Sequence, residues 1–431
     1  MVLSIRNFLA VMLLGLASAP AVYALDLVQI YEQAKKSDPV YLAAQAKYRA
    51  DKHILIQASS TILPTVSGSA NVSRHETDAS GNYDTNGYAL SVTQPIFNFA
   101  IFSGIAQARA EVQRAEAEYG SAQQNLMLRV AETYLGALAA QDNVELAQAE
   151  RSAIARQLEV ATGRLNAGLG TITEVHDAKA RFQLAEAVTL EAQNRMEDSL
   201  DALREIAGEF SDLLQALKTD IPTVRPQPED QSQWVQTALV QNLTIRAQLA
   251  AYNALRKKVH VERSGHFPSV GLVGKHSQLD TSPVPGANDG SSNSVAIELT
   301  IPIFQGGIVT SRTAQTKHLR EAARQELEAS RRSTKRQART AYAGVISGIE
   351  RVDALKQAVI ASDSAMSAKI IGFEAGINTN IDVLDAQRDL FKAKRDYAQT
   401  RYTYILDLLR LKNAAGQLNE NDLKEINGWL Q

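Results

Sequence analysis

Gly168-Leu-Gly-Thr-Ile-Thr-Glu174-Val-His-Asp177 returns later in the chain as Gly376-Ile-Asn-Thr-Asn-Ile-Asp382-Val-Leu-Asp385, with the same internal spacing. In each copy a glycine ends one helical run. Six residues later a pair of carboxylates at i, i+3 opens the next run, and the helix period places both on one face. Both stretches therefore read as tips of helical hairpins, and several tips gathered about an axis would bring their acids into a ring. Thr171-Ile-Thr-Glu174 and Thr379-Asn-Ile-Asp382 also match a helix capping box, so Glu174 and Asp382 have a purely structural role open to them. Asp177 and Asp385 lack that role, although a solvated helix face also accounts for acids so placed. His176 reads as an exposed polar residue rather than a pH sensor.

Outward from the tips, the prolines mark out the rest. Residues 96–221 and 303–431 contain none, and both blocks are rich in Ala, Gln, Glu, Leu and Arg. Blocks of that size without a helix breaker imply very long helices. Their apolar residues keep coiled-coil spacing, as at Ala108, Val112, Ala115, Tyr119, Ala122 and Leu126 and again at Ala341, Val345, Gly348, Val352, Leu355 and Val359. One helix is predicted from about Phe99 to Asn166. At 1.5 Å per residue it would extend about 100 Å, and it needs neighbours along its length.

The duplication covers more than the tips. Leu63-Pro64-Thr-Val pairs with Phe267-Pro268-Ser-Val, and Gln94-Pro95-Ile-Phe97 with Ile301-Pro302-Ile-Phe304. The division expected is a first repeat over 25–233, closing in a Pro-rich linker at about 209–233, and a second over 234–431. Between the paired prolines the pattern changes to period two. Val66, Gly68, Ala70 and Val72 alternate with polar residues, as do Tyr88, Leu90 and Val92, Val270 and Leu272, and Val295, Ile297, Leu299 and Ile301. Each repeat thus carries a β-hairpin, at about 64–95 and 268–302, with one oily and one wet face. The polar stretches Arg74 to Gly87 and Ser277 to Asn293 read as their solvent-facing loops.

Strands of about 9–11 residues with such faces suit a transmembrane barrel, although a half-buried β-sandwich shares the pattern. Four strands with open edges cannot stand alone in hydrocarbon, so a barrel would have to close between chains. Three copies would give twelve strands; two or four remain open.

Composition excludes other classes. Lys and Arg number 45 against 47 Asp and Glu, which gives no field for binding nucleic acid. There are no cysteines. The seven histidines show no metal-ligand spacing, and no nucleophile or phosphate-loop motif occurs, so neither enzyme activity nor a cofactor is expected. Residues 1–24, with Arg6, an apolar run from Phe8 to Leu16 and Val22-Tyr-Ala24, read as a secretory signal. The competing class is a periplasmic coiled-coil adaptor or scaffold carrying a small β-domain.

The export signal, the two strand-pair and hairpin repeats, the proline brackets, the tip ending in Asp382-Val-Leu-Asp385-Ala and the final Gly416-Gln-Leu-Asn-Glu-Asn-Asp-Leu423 resemble the TolC family of outer-membrane efflux and secretion channels. The resemblance implies a mainly α protein with β. In it, a homotrimer shares a twelve-stranded transmembrane β-barrel in outer-membrane lipid, continued by a long α-helical barrel through the periplasm. It implies an exit duct gated at its periplasmic tip, working with an inner-membrane pump and a periplasmic adaptor. Carried over by position, the pore selectivity ring falls on Asp382 and Asp385, and the gate contacts on Thr173, Glu174, Phe373 and Asn378. The adaptor-docking tips fall on Leu165, Gly168, Leu169, Gly376 and Ile377. The family's best-studied pattern has tyrosine in place of Phe373 and arginine in place of Asn378. Phe373 has no hydroxyl, and Asn378 cannot make a bidentate ion pair, so the closed entrance is expected to rely more on packing than on charge.

Overall fold

The computed structural model describes residues 24–77, 81–211, 213–282 and 289–431. The export signal expected over 1–24 lies, but for Ala24, outside them. The elements run α1 (Leu27–Ser37), α2 (Pro39–Ser60), β1 (Thr65–Thr77), β2 (Gly81–Phe97), α3 (Phe99–Asn166), α4 (Ile172–Ala207), α5 (Gln231–Gln241), α6 (Leu243–Arg263), β3 (Ser269–Ser282), β4 (Gly290–Thr300), α7 (Ile308–Glu374), α8 (Asn380–Ala414) and α9 (Glu420–Asn427). The helix foreseen from Phe99 to Asn166 is there as one uninterrupted α3 of 68 residues, and α7 matches it with 67.

The chain divides into two compact units, each built from both repeats. One comprises Ala43–Gln123 and Val235–Ala338, the other the described residues up to Leu42 with Gln124–Trp234 and Arg339–Gln431.

The first of these units holds a four-stranded antiparallel sheet in the order β1-β2-β3-β4. Its register explains the alternation in the sequence. Val66 pairs with Val92, Val92 with Gly274, and Gly274 with Val295. The next row joins Gly68, Leu90, His276 and Asn293. The face these rows share is mostly apolar on β1 and β2 and at Leu272, Val295, Ile297 and Leu299, turning polar on β3 and β4 at His276, Gln278 and Asn293. Its apolar members are open, with Val72 82%, Val295 80% and Ile297 72% exposed. Apolar side chains left this open on a sheet call for an apolar neighbour. The opposite face aligns Ser67, Ser91, Lys275 and Ser294, with the hydroxyls of Ser67 and Ser91 2.8 Å apart.

The expected polar loops are shorter than the sequence reading had them, and the strands longer. Arg74, His75 and Glu76 pair with Asp84, Tyr83 and Asn82, and Lys275 to Leu279 pair with Ser294 to Gly290. Loss of apolar alternation does not end a strand where the backbone ladder continues. Here polar cross-strand contacts take over, such as Arg74 to Asp84 at 2.9 Å and His276 to Asn293 at 2.6 Å. In the same unit Tyr48 of α2 stacks on Tyr119 of α3, with ring centroids 5.0 Å apart.

In the other unit α1, α3 and α8 contribute Leu27, Ile30, Tyr134, Leu135, Leu138, Tyr402, Tyr404, Ile405 and Leu409, all fully buried. Helices α3 and α8 are joined by acids on one and arginines on the other. Glu132 meets Arg410 at 2.8 Å, Asp142 meets Arg401 at 3.4 Å, and Glu150 meets Arg395. Burial raises the Asp142 carboxyl above its ordinary range, opposed by the Tyr402 hydroxyl, which donates to it at 2.8 Å, and by Arg401. Glycines let α7 approach α8 closely; a Cβ on Gly344 would lie 2.7 Å from Oδ2 of Asp407.

The linker that follows α4 is tied to this framework by hydrogen bonds rather than by regular structure. Leu25 donates to the Leu213 carbonyl and accepts from the Gln215 amide, and Leu217 bridges to Leu430. Tyr134 donates to the carbonyls of Leu25 and Gln215, and Arg401 to those of Lys218 and Thr219. The Tyr404 hydroxyl accepts from the Val224 amide at 2.7 Å and donates to its carbonyl at 3.1 Å. Irregular backbone survives against a helix only where such partners satisfy it.

Candidate functional site at the helical tips

Both hairpins turn in the same way. Helix α3 ends at Gly168 (φ 71°) and α7 at Gly376 (φ 74°), the left-handed conformation that favours glycine. Gly168 and Leu169 donate to the carbonyls of Leu165 and Arg164, and Gly376 and Ile377 to those of Phe373 and Gly372. This is one Schellman closure formed twice. Leu169 and Ile377 emerge from it 70% and 80% exposed.

The following helices open with the two capping boxes. The Glu174 amide donates to the Thr171 hydroxyl and the Asp382 amide to that of Thr379, while the Thr171 and Thr379 amides donate to the two carboxylates. In the second box the Thr379 hydroxyl also faces Asp382 Oδ2 at 2.7 Å, and Lys369 Nζ lies 3.2 Å from Oδ1. The Thr379 hydroxyl first, then its amide and Lys369, draw the Asp382 carboxyl down to about 2.

The acids of the two repeats then part company. Asp385, one turn after Asp382, is 2.8 Å from Arg181 of α4 and 3.3 Å from Arg388 of its own helix. Among the described residues no Lys or Arg lies within ion-pair distance of Glu174 or Asp177, although Arg181 is one helical turn beyond Asp177.

The residues at the proposed gate have partners that sequence reading missed. Phe373 lies under the guanidinium of Arg164, 4.9 Å from its ring centroid. The Asn378 amide oxygen accepts from Lys369 at 3.5 Å. Thr173 is exposed on the first turn of α4, and no hydrogen bond among the described residues joins Thr173 or Glu174 to Phe373 or Asn378. Behind the tips Asn380 is buried and meets Gln157. Leu384 packs with Ile154, Ala161, Ala178 and Ala185, so the two hairpins share a small apolar core.

The repeat alignment held a signal for one of these contacts. At the tip offset of 208 residues, Arg164 corresponds to Gly372 and Gly170 to Asn378. The two places face each other inside each tip. A Cβ on Gly170 would meet Arg164, and one on Gly372 would lie 2.0 Å from Nδ2 of Asn378. Each tip fills the space once, from opposite sides.

An open apolar stripe on a sheet, long helical hairpins and paired polar tips define an outer-membrane channel protein. Residues 30–209 and 234–417 match the outer membrane efflux protein family, and the chain belongs to it. It is 33% identical to outer membrane protein TolC of Vibrio cholerae serotype O1, over 95% of either chain. Against outer membrane protein TolC of Escherichia coli K12 the identity is 30%, over 94% of this chain and 85% of that one. A solved structure of CusC superposes with a TM-score of 0.81 at 16% identity, over 92% of this chain and 93% of that one, a likeness in fold alone.

Proposed function

We propose that this protein is the outer-membrane exit duct of a tripartite efflux pump or a type I secretion system, that it works as a homotrimer, and that it is gated at its helical tips. The observation that carries this is the sheet of four strands whose one face exposes a band of apolar side chains, among them Val66, Leu90, Val92, Val295 and Ile297, and whose other face is largely polar. Such a sheet has two open edges, and three copies joined edge to edge give a closed barrel with lipid outside and water within. Residues 1–24 act as the export signal, and the repeats 25–233 and 234–431 each supply one β-hairpin and one helical hairpin. Asp382 and Asp385 face the entrance. Thr173, Glu174, Phe373 and Asn378 lie at the gate, and the glycine turns with Leu165, Leu169 and Ile377 receive a periplasmic adaptor.

The protein performs no catalysis in this reading, and energy comes from an inner-membrane pump. The test is reconstitution of the detergent-purified protein into a planar bilayer. Steps of uniform conductance from a species of three chains are expected. A protein that stays soluble without detergent and never enters the bilayer would overturn the reading in favour of a periplasmic scaffold.

A further inference from the structure

We infer that Arg181 sets the ion preference of the entrance by masking Asp385, and that separating the two hairpins of one chain removes the mask. Arg181 has a carboxylate one turn behind it on its own helix, Asp177, at the spacing where helical ion pairs form. It reaches instead across to α8 and holds Asp385 at 2.8 Å. Around Asp385 the other charges are Arg388 at 3.3 Å and Asp389, itself 3.0 Å from Arg388. The four groups carry no net charge, and Lys369 with Asp382 carries none either. A carboxylate covered in this way presents a dipole to a passing ion rather than a charge, and its field falls off much faster with distance.

The two masks differ in what they connect. Lys369 and Asp382 belong to one hairpin, α7 with α8, and stay together when hairpins move apart. Arg181 and Asp385 belong to different hairpins, so the same movement uncovers Asp385. The Asp385 and Arg181 side chains are 41% and 28% exposed, so the pair is weak enough to break and reform. Asp385 accordingly adds little to cation preference while the hairpins are together, and its contribution grows as they part.

This inference rests on Asp385 facing the pore, as proposed above, and the experiment separates the two. Cation-to-anion permeability is measured in planar bilayers for the wild type, Arg181→Gln, Arg181→Lys, Asp385→Asn and the double variant Arg181→Gln/Asp385→Asn. Three unmasked carboxylates around one opening raise the ratio by about twofold or more at 0.1 M salt. Arg181→Gln is expected to give that rise, Arg181→Lys none, and Asp385→Asn a ratio below wild type because Arg181 is left uncovered while Arg388 keeps Asp389. In the Asp385→Asn background Arg181→Gln should give no rise above wild type. A ratio that falls with Asp385→Asn but does not move with Arg181→Gln overturns the masking. Higher conductance in Arg181→Gln without a change in ratio overturns it too, since that would be a loosened tip only. If neither residue affects the ratio, the pore-facing reading of Asp385 fails first.

Discussion

The guanidinium of Arg164, at the end of α3, covers the ring of Phe373, at the end of α7, at 4.9 Å from the centroid. A partly exposed contact of this kind contributes about 0.5–1 kcal/mol. It joins the two hairpins of a chain through Phe373, whose ring has no hydroxyl and for which a place at the gate is proposed above. Arg164→Gln and Phe373→Leu should each raise the open probability of single channels by about two- to fivefold, and the double variant no more than either alone. Additive effects would show that the two residues do not act through each other.

The second capping box gives a pH dependence. Asp382 is drawn from its ordinary 3.8 down to about 2, so its contribution is fully present above about 3.8 and is lost as the pH falls through 2. Hydrogen exchange at the first amides of α8 should stay slow down to about pH 4 and quicken below it. Thr379→Ala removes the largest source of the shift. It should return the Asp382 titration towards 3.8 by NMR and weaken the helix start by about 1 kcal/mol.

Gly376→Ala isolates backbone strain. Nothing lies within 4 Å of the added Cβ, and φ is 74°, so the cost is that of a left-handed alanine, about 1 kcal/mol. Gly168→Ala meets the same conditions and should cost the same. Faster exchange confined to the altered tip is the expected reading; equal loss in both tips from one substitution would contradict it.

Tyr404→Phe keeps the buried ring and removes the hydroxyl that serves both polar groups of Val224. The Val224 amide then loses its partner, at a cost of about 1–3 kcal/mol. The thermal midpoint of the detergent-solubilised protein should fall by a few degrees. No change would mean that water replaces the hydroxyl.

Much of this was legible in the sequence for physical reasons. Proline-free blocks with a steady seam define α3 and α7, and the capping boxes at Thr171 and Thr379 were readable because they are local. Strand length was misjudged at Arg74 to Gly87, since backbone pairing does not depend on the oily alternation that made the rest of β1 and β2 visible. The tip contacts were out of reach. Arg181 and Asp385 lie 204 residues apart, and the local pattern favours Asp177 as the partner of Arg181. Only the exchange of Arg164 and Gly170 for Gly372 and Asn378 left a trace, readable once the two repeats are set side by side.

The linker after α4 has a consequence for how the chain is made. Leu25 is bonded to Leu213 and Gln215, and Leu217 to Leu430, so the stretch between the repeats is completed by segments hundreds of residues away on either side. Closing pairs so far apart in sequence is slow. A ribosome that has produced the first repeat has supplied Leu25, to which the linker bonds, but not Leu430, which pairs with Leu217. The linker is therefore completed only by the last residues of the chain, which suits a polypeptide that crosses one membrane before it settles in another.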